Sequence, residues 1–181
     1  MRQYWQLWEA ILPKEKCKEL VDMCKIKPLE GGTIFSEKKG YNVKKNVRDS
    51  KIAWIDSISL TNMIRYYFTQ ANRSAFGFDI AYIPETQYSE YSKGSYYNWH
   101  HDIDWEADTP YDRKLSIGIQ LSDPEDYEGG QFEFQSIENP KTFYKQGSVI
   151  VFPSYLVHRI TKITKGTRRS LVTWIEGPRW K

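Results

Sequence analysis

The chain has little that would hold it in a membrane or staple it together. No run of about 18 apolar residues occurs in its 181 residues, so a membrane-spanning helix is not expected. The start, Met1-Arg2-Gln3-Tyr4-Trp5, leads into an apolar stretch broken by Glu9, which does not read as a signal-peptide core, and a cytoplasmic location is expected. Cysteine is scarce: only Cys17 and Cys24. Seven residues on one helix would separate them by about 10 Å, too far for a disulfide. They are expected to be reduced, with one or both on a buried face. Charge of one sign is also lacking, with 26 Lys and Arg against 23 Asp and Glu. The resulting net charge of +3 is too small to argue for nucleic acid, which is not expected as a partner. No internal repeat and no low-complexity segment appear. Residues 1–181 therefore read as one domain, long enough to bury a sizeable core.

Aromatic residues, in contrast, are dense: 7 Trp, 13 Tyr and 8 Phe. Most must be core, because each buries a large apolar area. Residues 13–26 read as a helix, with Pro13 in its first turn and Cys17, Leu20, Val21 and Cys24 at helical spacing. Residues 57–75 read as a second helix, capped by Ser57 or Ser59, with Leu60, Ile64, Tyr67 and Phe68 as its apolar stripe. Between them, about 31–46 is polar and rich in Lys, the signature of a loop and a candidate lid.

From residue 78 the pattern changes to short β-branched or aromatic runs, at 78–91, 114–121, 131–135, 149–152, 157–163 and 168–175. Turn signals such as Lys93-Gly94, Gly129-Gly130 and Lys165-Gly166 separate them. Several strands after two helices predict a mainly β fold with flanking α-helices. Its core would be a double-stranded β-helix of jelly-roll or cupin type, about 78–176, after N-terminal helices in about 13–75.

The chain has only three histidines, and two of them fit one site. His100 and Asp102 lie in Tyr97-Asn98-Trp99-His100-His101-Asp102, and His158 follows Phe152-Pro153-Ser154-Tyr155-Leu156-Val157. Residues two apart in a strand point the same way, so His100 and Asp102 can reach one ion together. His158 would face them from a strand distant in sequence. Two histidines and a carboxylate with open positions are the ligand set of non-haem Fe(II) oxygenases. His101 has no carboxylate two residues on, and it falls on the opposite face. Asp104 shares the parity of Asp102 and is either an alternative ligand or a neighbour of the ligands.

Ten residues after His158 comes Arg168, then Ser170. Alternation puts Arg168, Ser170, Val172 and Trp174 on one strand face. Arg168 can hold a carboxylate in bidentate fashion and Ser170 can add a hydroxyl donor. Such a pair suits the far carboxylate of 2-oxoglutarate, whose other end would chelate the iron. Arg169 falls on the other face.

Taken together, these strings resemble the iron(II)/2-oxoglutarate dioxygenases of the prolyl 4-hydroxylase type. The resemblance rests on residues 87–94, 97–102, 113–116, 120–123, 127–130, 147–153 and 158–170 and covers roughly residues 75–178. It implies Fe(II) at His100, Asp102 and His158, 2-oxoglutarate and O2 as co-substrates, and ascorbate as reductant. It also implies that Tyr91 hydrogen-bonds the co-substrate carboxylate. Tyr97 would be a second active-site tyrosine, Trp174 an aromatic packed on the substrate proline, and Arg113 a substrate-binding arginine. Two departures stand out. Collagen-type relatives often have Lys where this chain has Arg168. Relatives also often have Glu-Thr after the paired glycines, whereas Gln131-Phe132 follows here, which removes one hydroxyl contact to the co-substrate.

The implied activity is hydroxylation of an unactivated C–H bond, foremost C4 of a peptidyl proline, with release of succinate and CO2. The expected partner is a proline-containing peptide or protein. The same chemistry on another protein side chain, a free amino acid or a nucleic-acid base is the alternative. Outside enzymes, a jelly roll of this type also serves as a non-catalytic binding module.

Overall fold

The computed structural model describes residues 3–32, 34–36, 40–42, 47–106 and 108–181. Two helices precede the main run of strands. α1 (Lys14–Cys24) follows Pro13 and buries Cys17, Leu20 and Cys24. Both cysteines are free and buried. α2 (Ile58–Ala71) starts at Ser57, whose side chain accepts from the Leu60 N–H, and buries Leu60, Ile64, Tyr67, Phe68 and Ala71. A π-helical turn, Asn72–Phe76, ends on Gly77 in the left-handed region. The Asn72 amide then clamps both backbone groups of Phe78, each at 2.8 Å.

The strands are β1 (Gln6–Trp8), β2 (Glu30–Gly31), β3 (Ile34–Ser36), β4 (Gly40–Asn42), β5 (Arg48–Asp49), β6 (Lys51–Ile55) and β7 (Thr86–Ser92). They continue with β8 (Tyr96–His100), β9 (Tyr111–Gln120), β10 (Tyr127–Gly129), β11 (Phe132–Phe134), β12 (Val149–Pro153), β13 (His158–Ile160) and β14 (Ile163–Pro178). An eight-stranded sheet runs β1-β12-β9-β14-β7-β6-β2, with β10 also paired to β14. A four-stranded sheet runs β11-β13-β8-β5, and β3 pairs with β4 alone. Two facing sheets with helices outside one of them give the expected jelly-roll architecture.

Strand alternation divides the large sheet between two environments. On β14, Leu171 and Ile175 join the core formed with α1 and α2, as does Tyr88 of β7. The intervening Arg168, Ser170, Val172 and Trp174 face the space between the sheets, and Gln87 and Tyr91 of β7 line the same space. The register brings Arg168 opposite Tyr91, Ser170 opposite Ser89 and Val172 opposite Gln87. A separate apolar cluster packs Phe134, Phe143, Ile150 and Phe152 together, with Phe132 and Leu156 against them.

The structure moves several sequence boundaries. Residues 78–85 precede β7 and form no strand, meeting β14 through the isolated Tyr82 to Glu176 bridge, an Ala81 N–H bond to the Glu176 carbonyl and a Thr173 hydroxyl bond to the Glu85 carbonyl. β14 is longer than expected because its two ends pair with different partners, β10 at one end and β9 at the other. β1, β5 and β6 had no expectation at all. Each is short or two-sided, so a period-2 signal barely develops. Half of the 31–46 segment, expected as a loop and lid, lies outside the described residues, and in the described half β3 and β4 pair as a two-stranded antiparallel sheet instead of a loop. Among the described residues, no helix is long and apolar enough to cross a membrane.

Candidate metal centre and its cavity

β8 and β13 are antiparallel neighbours, and their register sets His100 directly opposite His158. Asp102 lies just past the end of β8, not within it. Its backbone N–H donates to the Ser154 carbonyl at 2.9 Å, which swings its side chain back toward the two rings. The convergence expected from strand alternation therefore comes from a bend anchored on a third segment. His100 Nε2 lies 3.7 Å from Asp102 Oδ1, and His158 Nε2 lies 3.7 Å from Asp102 Oδ2. One ligand atom from each residue falls within 4.8 Å of the other two. Among the described residues, no other trio of His, Cys, Asp or Glu gathers in this way.

The hydrogen bonds around the trio decide which atoms face a metal. His100 Nδ1 donates to the Asn98 carbonyl at 2.7 Å, and His158 Nδ1 donates to the Leu156 carbonyl at 2.9 Å. Fixing the proton on Nδ1 leaves an Nε2 lone pair on each ring aimed at the same point. Burial, and then His158 nearby, pushes the His100 pKa down to about 3, so its ring is neutral and ready to ligate at neutral pH. Burial opposes charge on Asp102, but His158, His100 and a Ser116 hydrogen bond outweigh it and hold the carboxyl below its ordinary value. Ser116 Oγ donates to Asp102 Oδ2 at 2.6 Å and lies 2.9 Å from Ser154 Oγ. Two imidazoles and one buried carboxylate fit a divalent cation of the Fe(II) type. His101 is exposed and stands on the rim.

The trio opens into a cavity of about 410 Å³. Arg168 lines it and is 3% exposed. Its guanidinium lies 3.4 Å from Ser170 Oγ and 6.0 Å from the Tyr91 ring. Among the described residues, no carboxylate pairs with it. A buried cation without a counter-charge is costly unless an anion arrives. Gly130 makes room for it: at φ +62 it adopts a left-handed conformation, and a Cβ there would stand 3.1 Å from Arg168 Cδ.

The other expected site residues also line this cavity. Tyr97 stacks on His100, with centroids 3.5 Å apart and planes within 10°. Burial raises the pKa of the Tyr97 hydroxyl, which stays protonated. Arg113 donates to the Asp102 carbonyl at 3.2 Å, and its guanidinium covers the Trp174 ring at 3.6 Å. Trp174 is itself 6% exposed, with Trp54 6.3 Å away. Asp104 sits on the cavity wall and its Oδ1 accepts from the Glu106 N–H, away from the ligand trio.

Sequence reading missed Arg48. It is 4% exposed, lies 4.7 Å over the Tyr97 ring and donates to Gln87 Oε1 and Ser89 Oγ. It ends a Lys-rich stretch, so nothing local distinguished it from solvated surface charge. Ser116 and Ser154 were missed for the same reason: their roles exist only through Asp102.

A jelly roll whose interior gathers two histidines, a carboxylate and an arginine with no carboxylate partner among the described residues defines a metal-dependent enzyme class. The model of the 2OG-Fe(II) oxygenase superfamily matches residues 86–176. The chain belongs to that superfamily. A PKHD-type hydroxylase of Prochlorococcus marinus is 38% identical over 90 residues, covering 49% of this chain and 40% of the relative. One from Gloeothece citriformis is 32% identical, covering 49% and 41%. The chain thus matches less than half the length of these curated relatives. Solved structures share the fold over nearly the whole chain. A Pseudomonas putida prolyl-4-hydroxylase matches at TM-score 0.73 and 20% identity, covering 98% of this chain and 94% of its own. A viral collagen prolyl hydroxylase from Paramecium Bursaria Chlorella virus-1, solved with 2OG, matches at 0.73 and 20%, covering 97% of each. A Trichoplax adhaerens prolyl hydroxylase, in complex with a hypoxia inducible factor peptide fragment, matches at 0.74 and 16%, covering 95% and 83%.

Proposed function

We propose that this chain is an Fe(II)- and 2-oxoglutarate-dependent dioxygenase that hydroxylates an unactivated C–H bond, foremost C4 of a peptidyl proline, with release of succinate and CO2. One observation carries the reading: a His-Asp-His trio and a buried arginine with no carboxylate partner among the described residues line the same cavity. Fe(II), held by His100, Asp102 and His158, would supply the oxygen chemistry that no side chain can perform. Nδ1–H bonds to backbone carbonyls hold both imidazoles in the ligating tautomer. Ser116 holds the Asp102 carboxylate in its orientation. Arg168 and Ser170 bind the distal carboxylate of 2-oxoglutarate, and Tyr91 closes over it with its hydroxyl. Ile117, Phe132 and Phe152 supply apolar wall that keeps water from the reacting region.

The prime substrate approaches from the Trp174 and Arg113 side. Because Arg113 lies over Trp174, the two form one flat wall against which a pyrrolidine ring packs, beside Tyr97 and the metal ligands. The names of the relatives support a hydroxylase, the prolyl hydroxylases among the structural neighbours support proline as its target, and the peptide-bound neighbour supports a peptide or protein partner. Ascorbate serves as the reductant that keeps iron in the Fe(II) state, and the cytoplasm is the proposed compartment. The test is succinate release with Fe(II) and ascorbate over a panel of proline-containing peptides, with mass spectrometry of each peptide. Proline-dependent succinate and one added oxygen on proline are expected. Oxidation of a different residue, of a free amino acid or of a nucleic acid would keep the dioxygenase and remove the prolyl substrate. No succinate with any of these would leave a binding module.

A further inference from the structure

The charges that line the cavity are sorted by depth. Arg48 and Arg168 are buried on the floor, at 4% and 3% exposure. The acids Asp104 and Glu176, both partly exposed, line it on the segments that form its mouth, where the isolated Tyr82 to Glu176 bridge and the start of β9 meet; Asp112 beside them is buried, its Oδ2 accepting from the Trp180 N–H. The rim is also aromatic. Tyr82 and Tyr111 remain 43% and 39% exposed, pack edge-to-face at 5.4 Å and both line the opening. Trp105, on the adjoining segment, is 55% exposed. The Tyr82 hydroxyl donates to Glu176, which fixes that carboxylate beside the aromatic pair.

We infer that this mouth is a docking surface for an extended, proline-containing peptide with a basic residue close to its target proline. The inference rests on the hydroxylase reading above and names its substrate class more narrowly. Two half-exposed tyrosines set edge-to-face suit the preformed polyproline II conformation, which loses little entropy when it docks between aromatic rings. Charge complementarity selects the flank. Among the described residues that line the mouth, the one arginine, Arg113, is turned onto Trp174 and the Asp102 carbonyl, so its charge is directed inward. Glu176 is Arg113's cross-strand neighbour and makes no ion pair with it, and its carboxylate remains at the rim, held by tyrosine. Asp104 on the adjoining wall accepts from the Glu106 N–H with one carboxylate oxygen, and its other oxygen is buried without a hydrogen-bond partner among the described residues, so a donor from a bound peptide would satisfy it. Between residues 102 and 112 the sequence carries five acids and no Lys or Arg, although the whole chain is +3. A cationic floor beneath an anionic rim sends the dicarboxylate to the bottom and a lysine or arginine side chain to the edge. The same rim repels a polyanion.

The experiment uses peptides that share a central proline and differ only in carrying Lys, Ala or Glu near it. Affinity for the full chain is read by calorimetry, with and without Mn(II) and 2-oxoglutarate, and turnover by succinate and mass spectrometry. The Lys peptide is expected to bind about tenfold more tightly than the Glu peptide, with the gap narrowing as salt rises. Asp104→Asn with Glu176→Gln, which keeps hydrogen-bonding capacity at both positions, is expected to shrink the gap to within about twofold. Tyr82→Phe, which frees the Glu176 carboxylate, is expected to narrow it partway. Equal affinity for Lys and Glu peptides, or a preference that survives in the double variant, overturns the inference. Preferential binding of Lys peptides with no oxidised proline keeps this surface and removes the prolyl reaction. Proline oxidation indifferent to flanking charge does the reverse.

Discussion

Arg168 gives the sharpest test of the physical argument because its two consequences have opposite signs. In the free protein this guanidinium is nearly sealed from water, holds one neutral partner, Ser170 Oγ at 3.4 Å, and pairs with no carboxylate among the described residues. Burying such a group costs free energy, and replacing a buried charge by an apolar side chain of similar volume is commonly neutral or stabilising by about 1–4 kcal/mol. Arg168→Met is therefore expected to raise the stability of the metal-free, co-substrate-free protein. For a chain of this length about 1 kcal/mol corresponds to roughly 2–4 °C in Tm. The same change removes the bidentate anchor for the co-substrate. Losing one partner of a buried charged pair costs on the order of 3–5 kcal/mol, about two to nearly four orders of magnitude in affinity. Differential scanning calorimetry of the free protein checks the first sign. Calorimetric titration of 2-oxoglutarate into the Mn(II)-loaded variant checks the second, with Mn(II) affinity as the control. A Tm that falls by several degrees would mean that Arg168 is satisfied in the free fold. An unchanged 2-oxoglutarate affinity would move the anchor elsewhere, with Arg48 the next candidate on the cavity floor.

Three further outcomes follow from the site. His158→Ala or Asp102→Ala abolishes Fe(II) binding and turnover, whereas His101→Ala, exposed on the rim, retains metal by direct analysis of bound iron; the opposite pattern would refute the ligand assignment. Ser116→Ala leaves Asp102 without its 2.6 Å donor and is expected to weaken metal affinity by about 10–100-fold with the fold intact, measured by competition with a chelator. Trp174→Ala removes the ring beneath Arg113 and lowers proline-dependent succinate release at least about tenfold through misplacement of the substrate, and undiminished release would exclude the ring from that role.

The sequence by itself determined the chemical possibilities. Three histidines in 181 residues left few ways to build a metal site, and His100, Asp102 and His158 could be named from spacing alone. Strand alternation likewise put Arg168, Ser170 and Trp174 on one face, because a period of two is a local property of extended backbone. α1, α2 and most long strands were legible for the same reason: periodic burial leaves its imprint in neighbouring residues. Tertiary structure decided the rest. It set His100 opposite His158 through a pairing across nearly sixty residues of chain, and it brought Asp102 in by a bend tied to Ser154 rather than by strand parity. It drew Arg48 out of a lysine-rich stretch onto the cavity floor, and it laid Arg113 over the Trp174 ring. It also set the cations on the floor and acids at the mouth, a sorting invisible in a net charge of +3. The physical reason is common to all of these. Local pattern records which way a side chain points from its own strand, whereas partner, burial and depth depend on segments far away in the chain that only folding brings together.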